Sequence, residues 1–193
     1  GQILYLVLAT MGFMCFILIS TCVLAGTKAY TANLWSDTAA ILGYSSIGEK
    51  IAIPAFVKVL ELSFPYSCTL HIFGLMAGYS VLMASLILYL NLWKGNGGMI
   101  GGLIFSGFGF LMNPEVIAGI LRLSQEQQKT ANIIFGWISP LNHATYYMHN
   151  FGYDNLPKLG ASYIFFGAGC LLLFGLSICK IKKYSFDFTG TQR

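Results

Sequence analysis

Few residues in this chain could carry chemistry. Its three histidines, His71, His143 and His149, invite a metal or haem reading. A hydrolytic zinc site needs two histidines on one helical face with a carboxylate nearby. His143 and His149 are six apart, a spacing that puts them on different faces of a helix, and neither has a carboxylate close by. Transmembrane haem needs paired histidines on facing helices at matching depth, which three scattered residues do not supply. No phosphate loop GxxxxGK[ST] and no GxSxG elbow occurs, so nucleotide hydrolysis and that serine chemistry are not expected of this chain. An intramembrane protease needs a Ser/His pair or two aspartates at membrane depth, and Asp37, Asp154 and Asp187 fall outside the apolar runs. The five cysteines (Cys15, Cys22, Cys68, Cys170, Cys179) form no CxxC pair and read as single thiols behaving as small hydrophobes.

The elements that must position these residues are written in the composition. Of 193 residues, 56% are hydrophobic and 9% charged, against about 25% charged in an ordinary soluble domain. There are too few ionic side chains to coat a soluble surface of this size. Mean hydropathy is +0.69. A soluble enzyme, a disordered chain and a collagen-like chain are all set aside, leaving an all-α, polytopic helical membrane protein. The net charge of +4 is concentrated in the tail, at Lys180, Lys182, Lys183 and Arg193. That is a positive-inside bias, with no basic patch to suggest a nucleic-acid partner.

Uncharged stretches cover 1–27, 62–93, 95–114, 130–153 and 159–179. A bilayer core of about 30 Å needs roughly 20 helical residues. Four spans are expected, at about 3–26, 66–93, 98–123 and 159–180, in a single transmembrane domain covering 1–193. Trp93 and Lys94 read as an interfacial anchor. Gly95-Asn96-Gly97-Gly98 is the strongest turn signal and makes its flanking spans antiparallel neighbours. Gly97/Gly101 and Gly98/Gly102 are each four apart, the spacing that lets helices approach closely in lipid, or else that of a flexible helix start. A proline kink at Pro114 would place Glu115 near an interface. With His71 the chief ionisable residue in the spans, a proton-coupled carrier is disfavoured. The chain opens without Met and without a basic n-region, so its first run is expected to be a span with further sequence upstream.

Stretch 130–153 is uncharged yet unsuited to crossing. It holds Asn132, Ser139, Pro140, Asn142, His143, His149 and Asn150, costly against lipid when unpaired. A re-entrant or interfacial element broken at Ser139-Pro140 is expected there. If the basic tail is cytoplasmic, Lys94 is too, and both ends lie inside with this element outside. Residues 47–62 mix apolar and charged positions, as an amphipathic interfacial segment or an ordinary packed loop would.

Trp137-Ile138-Ser139-Pro140-Leu141-Asn142, the last span with its basic tail, and the glycine-turn hairpin at 93–98 together resemble the permease subunits of ABC-2 type exporters. The chain then corresponds to spans three to six of a six-span permease. The resemblance implies an ABC ATPase partner that binds ATP and magnesium, a second permease copy, and Ser139, Pro140, Asn142, His143 and His149 at an outer gate. It also implies that this chain has no catalytic residue and no cofactor of its own. Two other readings stay open: an accessory or scaffold membrane protein, and a membrane-embedded enzyme using Asn142, His143 and His149.

Overall fold

The computed structural model describes residues 2–31, 34–37, 40–41, 44, 55–94, 97–111, 120–122, 124–152 and 155–181. Among them every regular element is helical: α1 Gln2–Ala25, α2 Lys28–Thr31, α3 Ala55–Leu62, α4 Pro65–Lys94, α5 Gly97–Leu111, α6 Gln125–Ile138, α7 Pro140–Ala144, a 3-10 turn Tyr146–Met148, and α8 Leu159–Ile181.

Three of these helices, α1, α4 and α8, are long and apolar enough to cross a membrane. At 1.5 Å per residue they run about 36, 45 and 35 Å, each exceeding a core of about 30 Å. The chain is a helical membrane protein. Helix α5 is also apolar, but its 15 residues reach only about 22 Å. The rest of the span expected at 98–123, including Pro114 and Glu115, lies largely outside the described residues. Residues 47–54 of the expected amphipathic segment do as well, and its remainder forms α3.

Local signals set the helix ends. Gly26 follows α1 with φ +81°, and its amide donates to the Cys22 carbonyl at 3.0 Å. Only glycine adopts that left-handed turn without a Cβ penalty, so α1 stops there. Proline opens α4, where a missing N–H costs nothing and a fixed φ suits the first turn.

Helix α4 is the hub. Helices α1, α5, α7 and α8 all pack against it. Its glycines admit α8 closely: a Cβ at Gly74 would stand 2.7 Å from the Tyr163 hydroxyl, and one at Gly78 would stand 2.9 Å from Phe166 Cδ2. On α8, a Cβ at Gly169 would meet Leu82 at 2.8 Å. Contacts that advance together along both helices make α4 and α8 parallel. The same register brings Lys94 and Lys180 to one end, with their Nζ atoms 5.8 and 5.9 Å from the Trp93 ring centroid. Stems of lysine over an indole fit a membrane–water interface.

Helix α5 folds back on α4 through the first four of its six glycines. The Gly98 amide donates to Asn91 Oδ1 at 2.8 Å, and a Cβ there would meet the Ile87 carbonyl oxygen at 2.6 Å. Gly97, Gly101 and Gly102 likewise face Leu90 or Ile87. These small residues thus serve a contact within the chain. Past α1, Trp35 Nε1 donates to the Ser63 carbonyl at 2.8 Å, which joins the end of α1 to the start of α4. Over its most apolar window α1 buries nothing, whereas a third of the α4 window is buried.

Candidate functional site

Helix α6 begins with a capping box. The Gln127 amide donates to Ser124 Oγ at 3.4 Å and the Ser124 amide to Gln127 Oε1 at 3.0 Å. The helix therefore starts at Gln125, five residues before the stretch expected from the loss of charge. It ends at Ser139, whose φ −79° and ψ 119° are extended. Proline is the cause: it disfavours helical backbone in the residue before it and brings no N–H of its own. Ser139 then caps the next helix, its Oγ accepting from the Asn142 amide at 3.4 Å, with Pro140 in the first turn of α7.

The break turns the chain so that His143 and His149 meet. They are six apart, but they do not share one helix, so the helical-face argument against their pairing does not apply. His143 Nδ1 and His149 Nε2 each lie 2.7 Å from the same atom, Ser162 Oγ in the second turn of α8. Their other nitrogens face carbonyls: His143 Nε2 lies 3.0 Å from Trp137 O, and His149 Nδ1 2.9 Å from Tyr146 O. All four ring nitrogens are engaged inside the protein, and His143, His149 and Ser162 are 1%, 0% and 0% exposed. The His143 ring also stacks on Phe165, centroids 4.2 Å apart.

Burial pushes His143 and His149 below the usual imidazole range, because the charged form loses its hydration. The hydrogen bonds to the Trp137 and Tyr146 carbonyls oppose that shift. Nearby, His71 Nδ1 lies 3.1 Å from the Tyr163 hydroxyl, and its ring stacks on Tyr146 at 5.9 Å. The three histidines therefore gather at one end of the bundle. Among the described residues, no group of three or more His, Cys, Asp or Glu is placed to hold a metal.

The site is closed from the side by the loop into α8. Trp137 Nε1 donates to the Asn155 carbonyl at 2.8 Å, and the Asn150 amide to the Pro157 carbonyl at 3.0 Å. Asn142, 7% exposed, keeps its Nδ2 buried without a hydrogen-bond partner. Leaving that donor unpaired costs about 1–3 kcal/mol.

A separate cavity of about 440 Å³ lies between α1, α4 and α5. Leu6, Met76, Met83, Ile87, Met99 and Leu103 make its walls apolar, while Thr10, Tyr79, Ser80 and Ser106 add hydroxyls. Such a lining suits an apolar molecule with a few polar groups.

Of the residues singled out in the sequence, Ser139, Pro140, Asn142, His143 and His149 thus converge, Gly97 to Gly102 form the α4–α5 seam, and Trp93 and Lys94 sit at the opposite end. Glu115 lies outside the described residues. Ser162 was not anticipated, since a serine in an apolar span reads as a small packing residue. Gly74 and Gly78 were not singled out either, although their four-residue spacing is the packing signal recognised at Gly97/Gly101. No family model, curated protein or solved structure matches the chain.

Proposed function

We propose that the chain is the membrane-spanning subunit of an ABC-2-like exporter, with the outer exit capped by α6, α7 and the turn after them. The observation that carries this reading is the parallel packing of α4 and α8. Both helices run from the His71–Tyr163 end to the Trp93–Lys180 end, so the chain returns between them, and α5 begins that return. On this reading the chain crosses four times, and α5 belongs to the third crossing. The broken element meets α8 at Ser162, on the side to which the chain has returned. That contact supports reading the element as a cap on that side that does not cross.

The positive tail places the Trp93–Lys180 end in the cytoplasm and the capped end outside, with both ends of the chain inside. The cavity between α1, α4 and α5 accommodates the apolar part of the exported molecule. Energy comes from a separate ATPase that binds ATP and magnesium, and two permease subunits complete the transporter.

Isolation of the full chain from its native membrane in mild detergent tests the assignment. A stoichiometric P-loop ATPase is the expected companion. A chain that purifies reproducibly without one is an accessory or scaffold protein, and the exporter reading falls. Filling the cavity with Ser106→Trp should then lower ATPase stimulation by transported compounds at least tenfold, an effect of about 1.4 kcal/mol.

A further inference from the structure

The contacts around Ser162 can be counted in protons. Four short contacts run in series: Trp137 O to His143, His143 to Ser162 Oγ, Ser162 Oγ to His149, and His149 to Tyr146 O, at 3.0, 2.7, 2.7 and 2.9 Å. Each needs one proton between its two heavy atoms. The carbonyls can only accept, so each draws the single N–H of a neutral imidazole. Both rings then turn a bare nitrogen toward Ser162 Oγ, and its one hydroxyl proton serves only one of them. The neutral site holds three protons for four contacts. Exchanging tautomers moves the gap along the chain and does not remove it.

We propose that His143, Ser162 and His149 form a site that binds one proton, and that this proton completes the hydrogen-bond chain tying α7 and its following turn to α8. With one ring an imidazolium, every contact has its proton and Ser162 both accepts and donates. A second added proton is opposed by charge. The two facing nitrogens are at most 5.4 Å apart, the sum of the two 2.7 Å contacts. At that separation two buried cations repel by an amount equal to about two pH units at an effective dielectric near 20.

Among the described residues no counter-ion acts on the pair. The groups acting on His149, beyond burial and its carbonyl partners, are the other two histidines, and on His143 none is charged. Of the elements packed around the pair, α4 brings Cys68 and His71, the turn brings Tyr146, and α8 brings Tyr163. The described charged groups on those elements and beside them, Glu61 on α3, Lys94 on α4, Glu126 and Lys129 on α6, Lys158 before α8 and Lys180 at its end, act on neither ring. Burial lowers both rings, so uptake falls on the acid side of neutrality. Acidification thus closes the last gap between the α6–α7 element and the final span, and neutral pH leaves it open. The inference stands on the geometry of this site and not on the exporter reading.

Nitrogen NMR of the full chain in detergent micelles, labelled at the histidine imidazoles, reads the count directly, with His71→Gln assigning the third ring. Between pH 7.5 and 4.5 the signals of His143 and His149 should shift together and account for one proton. Ser162→Ala removes the shared oxygen and should move that step down by about one to two pH units, the worth of one charge-assisted hydrogen bond. Ser162→Thr keeps a hydroxyl and should restore it. Two protons taken up at one common pH, or none taken up while the fold persists, overturns the proposal in the unmodified protein, whatever becomes of the variants. A Ser162→Ala titration unchanged from wild type overturns it as well.

Discussion

Gly78→Ala is the sharpest test of how the bundle is held together. The added methyl would lie 2.9 Å from Phe166 Cδ2 and 3.2 Å from Cγ, inside the 3.5–4.0 Å at which carbons rest. Phe166 has little room to yield. It is 3% exposed and sits edge-on to both His143 and Phe165. Relief requires α4 and α8 to separate by roughly half an ångström or more, or Phe166 to leave its rotamer, and overpacking of this kind costs about 1–3 kcal/mol. Alanine recovers up to about 1 kcal/mol through helix propensity. A net loss of about 1–2 kcal/mol is expected from the difference of those two terms. The control is Gly167→Ala on α8, where a Cβ meets nothing within 4 Å. Reversible unfolding in mixed detergent micelles measures both variants. If Gly78→Ala unfolds within about 0.5 kcal/mol of Gly167→Ala, the spread expected of substitutions that touch nothing critical, the close α4–α8 seam is not what holds these helices.

Three further outcomes are expected. Burial lowers His143 and His149 relative to the unfolded chain, so their contribution to stability is complete above pH 6.5 and declines as pH falls below it, by about 1.4 kcal/mol per pH unit for each proton that the folded state refuses; a thermal midpoint that stays level from pH 7.5 to 5 contradicts this. Asn142→Leu removes the donor that has no partner and should leave thermal stability unchanged or raise it by about 1 kcal/mol, whereas a large loss would mean that Nδ2 is satisfied in the membrane. Pro140→Leu should cost less than about 1 kcal/mol, because the first-turn N–H it introduces needs no helical partner, yet it should depress export in vesicles; equal losses of export and of folded protein would remove the gating role.

Much of the architecture was legible because lipid imposes simple rules. The uncharged runs had to be helices of spanning length, and α1, α4 and α8 start and stop within two residues of the positions set by Gly26, Pro65, Leu159 and the flanking lysines. Pro140 marked its own break through its missing N–H. What stayed hidden depended on where that break sends the chain. A spacing of six residues argues against a shared face only along a continuous helix, and the turn at Ser139 and the 3-10 segment remove the premise. Ser162 gave no signal, since its role comes from two rings that arrive from another part of the sequence. The start of α6 was available in the Ser124/Gln127 capping box, but the charges that open that helix obscured it.

The order in which residues leave the ribosome gives the α4–α8 seam a further meaning. Helices α4 and α5 are separated by only two residues, so they enter the bilayer as a hairpin and seal one side of α4 at once. The furrow at Gly74 and Gly78 faces the other way and has no occupant until α8 is made. His143 and His149 also wait, because the serine that joins them belongs to that same last helix. Arrival of α8 therefore fills the furrow and bridges the imidazoles in a single step. Until that step the groove on α4 stands open and the two rings lack the oxygen that joins them.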